Sequence, residues 1–218
     1  MRVFADRVEA GRALAASAEV RELGNGALVL GLPRGGVLVA AEVARGLRAA
    51  LDVVVVRKIG APGNPEYAIG AVDRDAVTVG DPRRYASDEY VDAETDAQRR
   101  EIVRREQEYR QGRPPLSVAG RTILLVDDGI ATGLTALAAV GWLRRHRAAR
   151  VVVAAPVAAS DAVRALELAG AEVIVLEVPA DFRAVGQAYR RFEQSTDVEV
   201  IAALRQAAAD VSGSGDGR

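Results

Sequence analysis

The stretch ILLVDDGIATGLT, residues 123–135, decides how this 218-residue chain is read. Four apolar residues run unbroken into Asp127 and Asp128, as a strand buried on both faces of a sheet does. Gly129 and Gly133 then free the backbone. From Thr132 the run TGLTALAAVGWLRRHR takes on helical spacing. A wholly apolar strand that turns straight into a helix is the repeating unit of a parallel α/β sheet.

The same rhythm extends in both directions. Toward the N-terminus, FADRVEAGRALAASAEVREL (4–23) has the pattern of one amphipathic helix, closed by Gly24-Asn25-Gly26. ALVLGL (27–32) is a strand, GVLVAAEVARGLRAAL (36–51) a helix and DVVVVRK (52–58) the next strand. YAIGAV and AVTV flank Asp73-Arg74-Asp75, which predicts a hairpin over 67–79. Residues 87–111 are charge-rich and read as a solvated helix or helix pair, broken by Gly112 and Pro114-Pro115. Toward the C-terminus come a strand (149–158), a helix (161–170), a strand (171–178) and a helix over 197–209. The polar tail VSGSGDGR (211–218) is expected to be disordered. The expected fold is therefore a mostly parallel central sheet flanked by helices, in a single domain over 1–210. In such sheets ligands bind beyond the carboxyl ends of the strands. That singles out four windows: 32–36, 58–66, 127–135 and 179–186.

Composition narrows the function classes. Half the residues are hydrophobic and only 4% aromatic, so Ala, Val and Leu build the core. A net charge of −1 supplies no general attraction to nucleic acid or membrane. The arginines of the 99–113 stretch are offset by the glutamates among them and the aspartates and glutamates just before, which favours a solvated face over a nucleic-acid patch. Zero cysteines exclude disulfides and thiolate metal sites, and a reducing, cytoplasmic compartment fits. MRVFADRVEAGRALAAS carries charges where a secretory leader needs an apolar run, and no stretch reaches the ~18–20 apolar residues of a membrane span.

Chemistry concentrates in the 123–135 stretch. Backbone N–H groups at a loop-to-helix junction form an anion cradle, which the helix dipole reinforces. Thr132 and Thr135 add hydroxyl donors, and Gly129 and Gly133 permit close approach. Aspartates repel phosphate, so Asp127 and Asp128 face another part of the same ligand, sugar hydroxyls or a Mg2+ ion. A phosphate cradle beside such carboxylates describes a ribose 5-phosphate site. The plainer alternative is a buried strand and a helix capped by Asp128 or Thr132.

Asp127, Asp128, Thr132, Gly133 and Thr135 match, residue by residue, the phosphoribosyl pyrophosphate (PRPP) signature that this stretch resembles, that of the type I phosphoribosyltransferases. The resemblance implies that family's fold, with a core over about 25–177 and a small hood from 178–192 together with the N-terminal segment. It implies a Mg2+-dependent transfer of the 5-phosphoribosyl group to a nitrogenous base or similar acceptor. PRPP would lie on Gly129, Ile130, Ala131, Thr132, Gly133, Leu134 and Thr135, with Asp127 and Asp128 on the ribose and as possible Mg2+ contacts. GLPRGGV (31–37) is similar to the family's pyrophosphate loop, which implies Arg34, Gly35 and Gly36 on the diphosphate and a non-proline cis peptide at Pro33–Arg34. VVRKIGAPGNPEY (55–67) resembles the strand end before the family's flexible catalytic loop. Arg57 and Lys58, the only lysine of the chain, would then meet the pyrophosphate, and the 59–66 loop would close over it. VPADFRAVGQAYRRF (178–192) is similar, with imperfect spacing, to the base-binding hood. Phe182 is the candidate to stack on the base and Tyr189 the weaker alternative, against a plain core role for Phe182.

The whole chain to about residue 205 resembles one bacterial group within the family, through LPRGGV, VRKIGAPGNPE, AIGAV and VDDGIATG. Ala131 departs from the 6-oxopurine branch, which places an aspartate there, and resembles the adenine and orotate branches. Glu66 is read as a cap of the hairpin, and His146 as a surface residue on a helix packed by Trp142. The resemblance further implies small-molecule partners and a homo-oligomer. The competing class is a regulator on the same fold that binds PRPP or a nucleotide without turnover.

Overall fold

The computed structural model describes residues 2–75 and 78–213. At its centre β1 (Leu28–Gly31) pairs in parallel with β2 (Ala50–Val53) on one side and β6 (Thr122–Val126) on the other. Beyond β6 lie β7 (Arg150–Val157) and β8 (Glu172–Glu177), also parallel, giving the order β2-β1-β6-β7-β8. Strand side chains alternate between faces. Val29, Leu124 and Val152 point into one core layer, shared with α1 (Arg7–Ala16), α3 (Gly35–Leu47) and α7 (Asp197–Gly213). Leu30, Ile123, Leu125 and Val153 point into the other, shared with α5 (Leu134–Arg145) and α6 (Ser160–Leu168). Because both faces are covered, the strands read as continuous apolar runs.

A second, antiparallel sheet of β3 (Arg57–Ala61), β4 (Asn64–Val72) and β5 (Thr78–Gly80) stands beside the first. Ile59 and Val72 pack toward α4 (Asp88–Arg110), while Ala71 and Val79 pack toward α5.

Several expected elements are cut differently. The helix expected over 4–23 is two helices, because Ser17 is extended, with φ −64° and ψ 148°. Its hydroxyl donates to the Leu14 carbonyl and accepts from Val20 N–H, capping α2 (Ala18–Leu23). The helix expected over 36–51 stops at Leu47, where Arg48 adopts a left-handed cap, and 50–53 is already strand. The expected strand 52–58 is two strands. Val54, Val55 and Val56 carry the chain from the central sheet to the second one, so Lys58 lies in β3 rather than at the end of β2. The expected loop 59–66 is the β3–β4 hairpin, with Gly60 opposite Ala68 and Ala61 opposite Asn64. The expected hairpin over 67–79 is β4 and β5, with Ala71 opposite Val79; residues 76–77 lie outside the described set, as does the Glu66 side chain. The C-terminal helix continues to Gly213, and 214–218 of the tail lie outside the described residues.

The charged stretch 87–111 is a single 23-residue helix, and one of its faces is not solvated. Ile102 and Tyr109 are fully buried, and Tyr109 donates to Asp197 at 2.5 Å. Next to them Arg110 Nε donates to Asp52 Oδ1 at 3.0 Å, while its Nη2 donates to the Val53 carbonyl at 2.8 Å. Asp52 also accepts from the backbone N–H of Val53 and Leu116. This pair is largely shielded from water, with side chains 10% and 8% exposed. Breaking a buried pair leaves the other charge poorly compensated, and Arg110 would keep only Glu106 at 3.6 Å as an ionic partner. Asp52→Ala is therefore expected to lower stability by about 3–5 kcal/mol, measured as a shift of the urea unfolding midpoint at constant m-value.

Candidate active site

The sheet order places the site. β1 connects toward β2 and β6 toward β7, so the loops leaving β1 and β6 part at the carboxyl edge and open a crevice between them. Leu32 N–H donates to the Val126 carbonyl at 2.9 Å, and Asp127 N–H to the Ala154 carbonyl at 3.2 Å. Ile130 is held by bonds from its N–H to Val157 and to its carbonyl from Ala159. The 127–133 loop is thus fixed to the β7 side of the sheet at its start and at Ile130.

Within the crevice the backbone of the 32–36 loop presses on the two aspartates. A Cβ at Gly35 would overlap Asp128 Oδ2, and one at Gly36 would come within 2.8 Å of Asp127 Oδ1. Any side chain at these positions would displace the acids. The Pro33–Arg34 peptide is cis. Arg34 itself is half-exposed and lies close enough to Tyr109 to act on its phenol electrostatically.

A cavity of about 230 Å³ is lined by Lys58, Asp127, Asp128, the backbone turn from Gly129 to Gly133, Thr135 and Val185. Gly133 adopts φ 76° as the N-cap of α5, and no side chain caps that helix. Neither Asp128 nor Thr132 serves as the cap, so the first N–H groups of α5 are left for an anion. α3 is likewise uncapped by any side chain at Arg34. A second cavity of about 420 Å³ adjoins the first through Lys58 and Thr135, with Pro33, Arg57, Tyr90, Glu94 and Gln98 in its wall. Arg57 Nε donates to Gln98 at 2.8 Å. Lys58 is exposed, and among the described residues it has no hydrogen-bond or ion-pair partner.

The two acids are not equivalent. Burial first, and the charge of Asp128 second, push the Asp127 carboxyl well above the usual carboxylate range; nearby Lys58 opposes the rise. Its side chain still touches the cavity, so solvent tempers the effect. Asp128 has a cationic partner of its own. Arg7 Nε donates to Asp128 Oδ2 at 2.7 Å, across 121 residues of sequence.

The hood residues pack on the N-terminal segment and on the 128–129 turn. Tyr189 is buried and donates its hydroxyl to the Asp128 carbonyl at 2.5 Å. Phe182 is half-buried in the apolar cluster of Phe4, Ala10, Val157, Ala188 and Tyr189. Val185 is the hood side chain in the wall of the smaller cavity, packed where a Cβ of Gly129 would lie. The N-terminal segment joins this hood through Phe4 N–H to the Ala188 carbonyl and Arg190 N–H to the Phe4 carbonyl. His146 stacks on Trp142 at 4.1 Å, on the helix that carries neither cavity wall at that end. Sequence reasoning missed Arg7, Tyr90, Glu94, Gln98 and Val185. A side chain on a distant helix carries no local signature of which loop it meets.

A family profile described as "Phosphoribosyl transferase domain" matches residues 7–186. Two Mycobacterium tuberculosis proteins bear the name "Putative phosphoribosyl transferase", one from strain CDC 1551 / Oshkosh and one from strain ATCC 25618 / H37Rv. Each is 45% identical over 220 residues, covering 99% of this chain and 49% of the relative. The chain thus spans about half the length of the curated relatives it matches. The crystal structure of TT1426 from Thermus thermophilus is 48% identical and superposes with a TM-score of 0.78, covering 94% of this chain and 99% of that one.

An acid whose carboxyl is raised by folding keeps a proton that the unfolded chain releases. Its contribution to stability is therefore full below the unfolded value and is lost as pH rises toward the folded one. Asp127→Asn removes that loss. The variant is expected to unfold at a higher temperature than the parent at neutral pH, by about 2–4 °C for each kcal/mol gained. The difference should vanish near pH 3, and thermal unfolding from pH 3 to 8 measures it.

Proposed function

The chain belongs to the phosphoribosyl transferase domain family, and on that premise we propose that it transfers the 5-phosphoribosyl group of PRPP to a nitrogenous base or similar acceptor, releasing pyrophosphate. The observation that carries this reading is the meeting, on one cavity, of an uncapped helix N-terminus, two adjacent carboxylates and a lysine with no hydrogen-bond or ion-pair partner among the described residues. The 5-phosphate rests on the backbone N–H groups and hydroxyls of 129–135. Asp127 and Asp128 accept from the ribose hydroxyls. The diphosphate extends past Lys58 toward Arg34, Gly35, Gly36 and Arg57, into the larger cavity.

In the reaction the C1–O bond to pyrophosphate breaks and its electron pair leaves with the diphosphate. The lone pair of the acceptor nitrogen forms the new C1–N bond, and the acceptor's proton passes to solvent. Positive charge develops at C1, an oxocarbenium-like transition state of the kind met in glycoside chemistry. Lys58 stabilises the charge that develops on the leaving group. The cradle and carboxylates hold the sugar in line for attack, and no covalent nucleophile is needed. The β3–β4 hairpin is the element that closes over the diphosphate and excludes water. The acceptor meets an apolar wall of Ile130, Ala131 and Val185, with Phe182 contributing to the hood that carries Val185.

Two neighbouring carboxylates at the mouth of an anion cradle are hard oxygen donors of the kind Mg2+ uses when substrate phosphates supply its other ligands. Among the described residues no three His, Cys, Asp or Glu side chains gather into a protein-only cage, in keeping with that habit. Asp127 and Asp128 would hold the ion, whose charge would favour the ionised form of Asp127 and whose chemistry is to neutralise the leaving diphosphate. The same reading places the protein in the cytoplasm, self-associated, as one domain over 1–210. Among the described residues no helix is long and apolar enough to cross a membrane.

Pyrophosphate release from PRPP and Mg2+, followed across a panel of purine and pyrimidine bases, tests the activity. Release with at least one base is expected. Tight PRPP binding with no release for any acceptor would instead leave a PRPP-binding regulator. Lys58→Ala is expected to lower kcat about 100-fold, as loss of one transition-state donor does, while ribose 5-phosphate affinity stays within about twofold. Lys58→Arg is expected to recover only part of that loss, since a planar fork follows a departing diphosphate less freely than a compact ammonium.

A further inference from the structure

We infer that Arg7, in the first turn of α1, is a positioning residue for sugar recognition: it fixes the Asp128 carboxylate so that ribose binding depends on docking of the N-terminal helix and hood. The inference rests on the reading above that Asp128 receives a ribose hydroxyl.

The Arg7 guanidinium is held from three sides. Its Nε donates to Asp128 Oδ2 at 2.7 Å and its Nη1 to the Glu193 carbonyl at 2.9 Å. The Phe192 ring lies 4.1 Å from it and the Tyr189 ring 5.9 Å, the two rings being stacked on each other. The Arg7 and Asp128 side chains are only 12% and 15% exposed, so the pair is far better shielded than the surface pairs of this protein. The Gly35 backbone packs against this same contact, close to both Oδ2 and Arg7 Nε, and the Asp128 carbonyl accepts the Tyr189 hydroxyl. Arg7 therefore takes Oδ2, while the Asp127 carboxyl lies within hydrogen-bond reach of the Asp128 side chain. A carboxylate clamped at one oxygen offers the other in a single direction, which is what selective acceptance from a sugar hydroxyl requires.

The arrangement also explains why three separate segments converge here. Asp128 follows β6, Arg7 opens α1, and Tyr189 and Phe192 belong to the hood, which Glu193 directly follows. The cradle needs none of these, because its donors are the backbone and hydroxyls of 129–135. Arg7 should thus matter for the sugar and not for the phosphate.

Ribose 5-phosphate and inorganic phosphate are the probes, with binding followed by calorimetry on the full chain carrying Arg7→Ala, Arg7→Lys, Asp128→Asn or Arg7→Ala with Asp128→Asn. Arg7→Ala is expected to weaken ribose 5-phosphate about tenfold, the scale of one charge-assisted hydrogen bond, and to leave phosphate within about twofold. Arg7→Lys should recover part of the loss, and the double variant should bind no worse than Asp128→Asn alone, the mark of two residues acting as one unit. Unchanged ribose 5-phosphate affinity in Arg7→Ala, with Asp128→Asn still weakened, overturns the role of Arg7 and leaves the site reading standing. Equal loss of both probes overturns it too, since Arg7 would then only hold the hood, whose Val185 lines the phosphate cavity. If Asp128→Asn itself leaves ribose 5-phosphate binding intact, the site reading fails. If Arg7→Ala does not fold, the Arg7→Lys comparison of the two probes decides by the same criteria.

Discussion

Two backbone loops and two carboxylates share a space too small for a Cβ, and the rest of the site is arranged around that contact. β1 and β6 are neighbours in the sheet, so the turns that follow them are forced to the same edge. Gly35 and Gly36 then lie against Asp128 and Asp127 at distances no side chain would permit. In the sequence the Gly-Gly pair is attractive as a set of amides for a diphosphate. Its nearer necessity is steric: without it the acids could not stand where they do, and the mouth of the cradle would be remade.

Charge is distributed around this contact by burial as much as by sequence. Asp127 is half-buried at the cavity wall and beside another acid, which favours its neutral form, whereas Asp128 has Arg7. Two residues adjacent in the chain thus acquire different electrostatic surroundings. Lys58 faces the same cavity without a partner among the described residues, so its charge is available to a ligand rather than committed to the fold. The same logic separates the chain's other arginines. Arg110 is absorbed by Asp52 in the core, and Arg104 and Arg105 are tied to glutamates along α4.

The long helix α4 shows how a polar composition can mislead. Its mean pattern is that of a solvated rod, yet Ile102 and Tyr109 are buried against α7 and the second sheet, and Arg110 reaches Asp52 of β2. Its first half supplies Tyr90, Glu94 and Gln98 to the larger cavity. Nothing local distinguishes these from the other charged residues of 87–111. A helix of this kind is read correctly as a helix, and its role is set only by what stands next to it.

By itself the sequence determined the alternation of apolar strands and helices, and therefore a parallel sheet with ligand loops at one edge. It also determined the strand-to-helix junction with its acid pair, because strand, acids, glycines and threonines lie within thirteen consecutive residues and each acts on its neighbours. Turns that depend on backbone torsions at single residues, such as the break at Ser17 and the passage of Val54–Val56 between sheets, were blurred by continuous apolar or helical spacing. Only the tertiary structure decided that Arg7 meets Asp128, that Val185 and not Phe182 reaches the smaller cavity wall, and that Tyr189 binds a backbone carbonyl. Local spacing fixes what neighbours in the chain can do together. Contacts across more than a hundred residues depend on how whole helices dock, and that is settled by the summed packing of two core layers rather than by any short stretch of sequence.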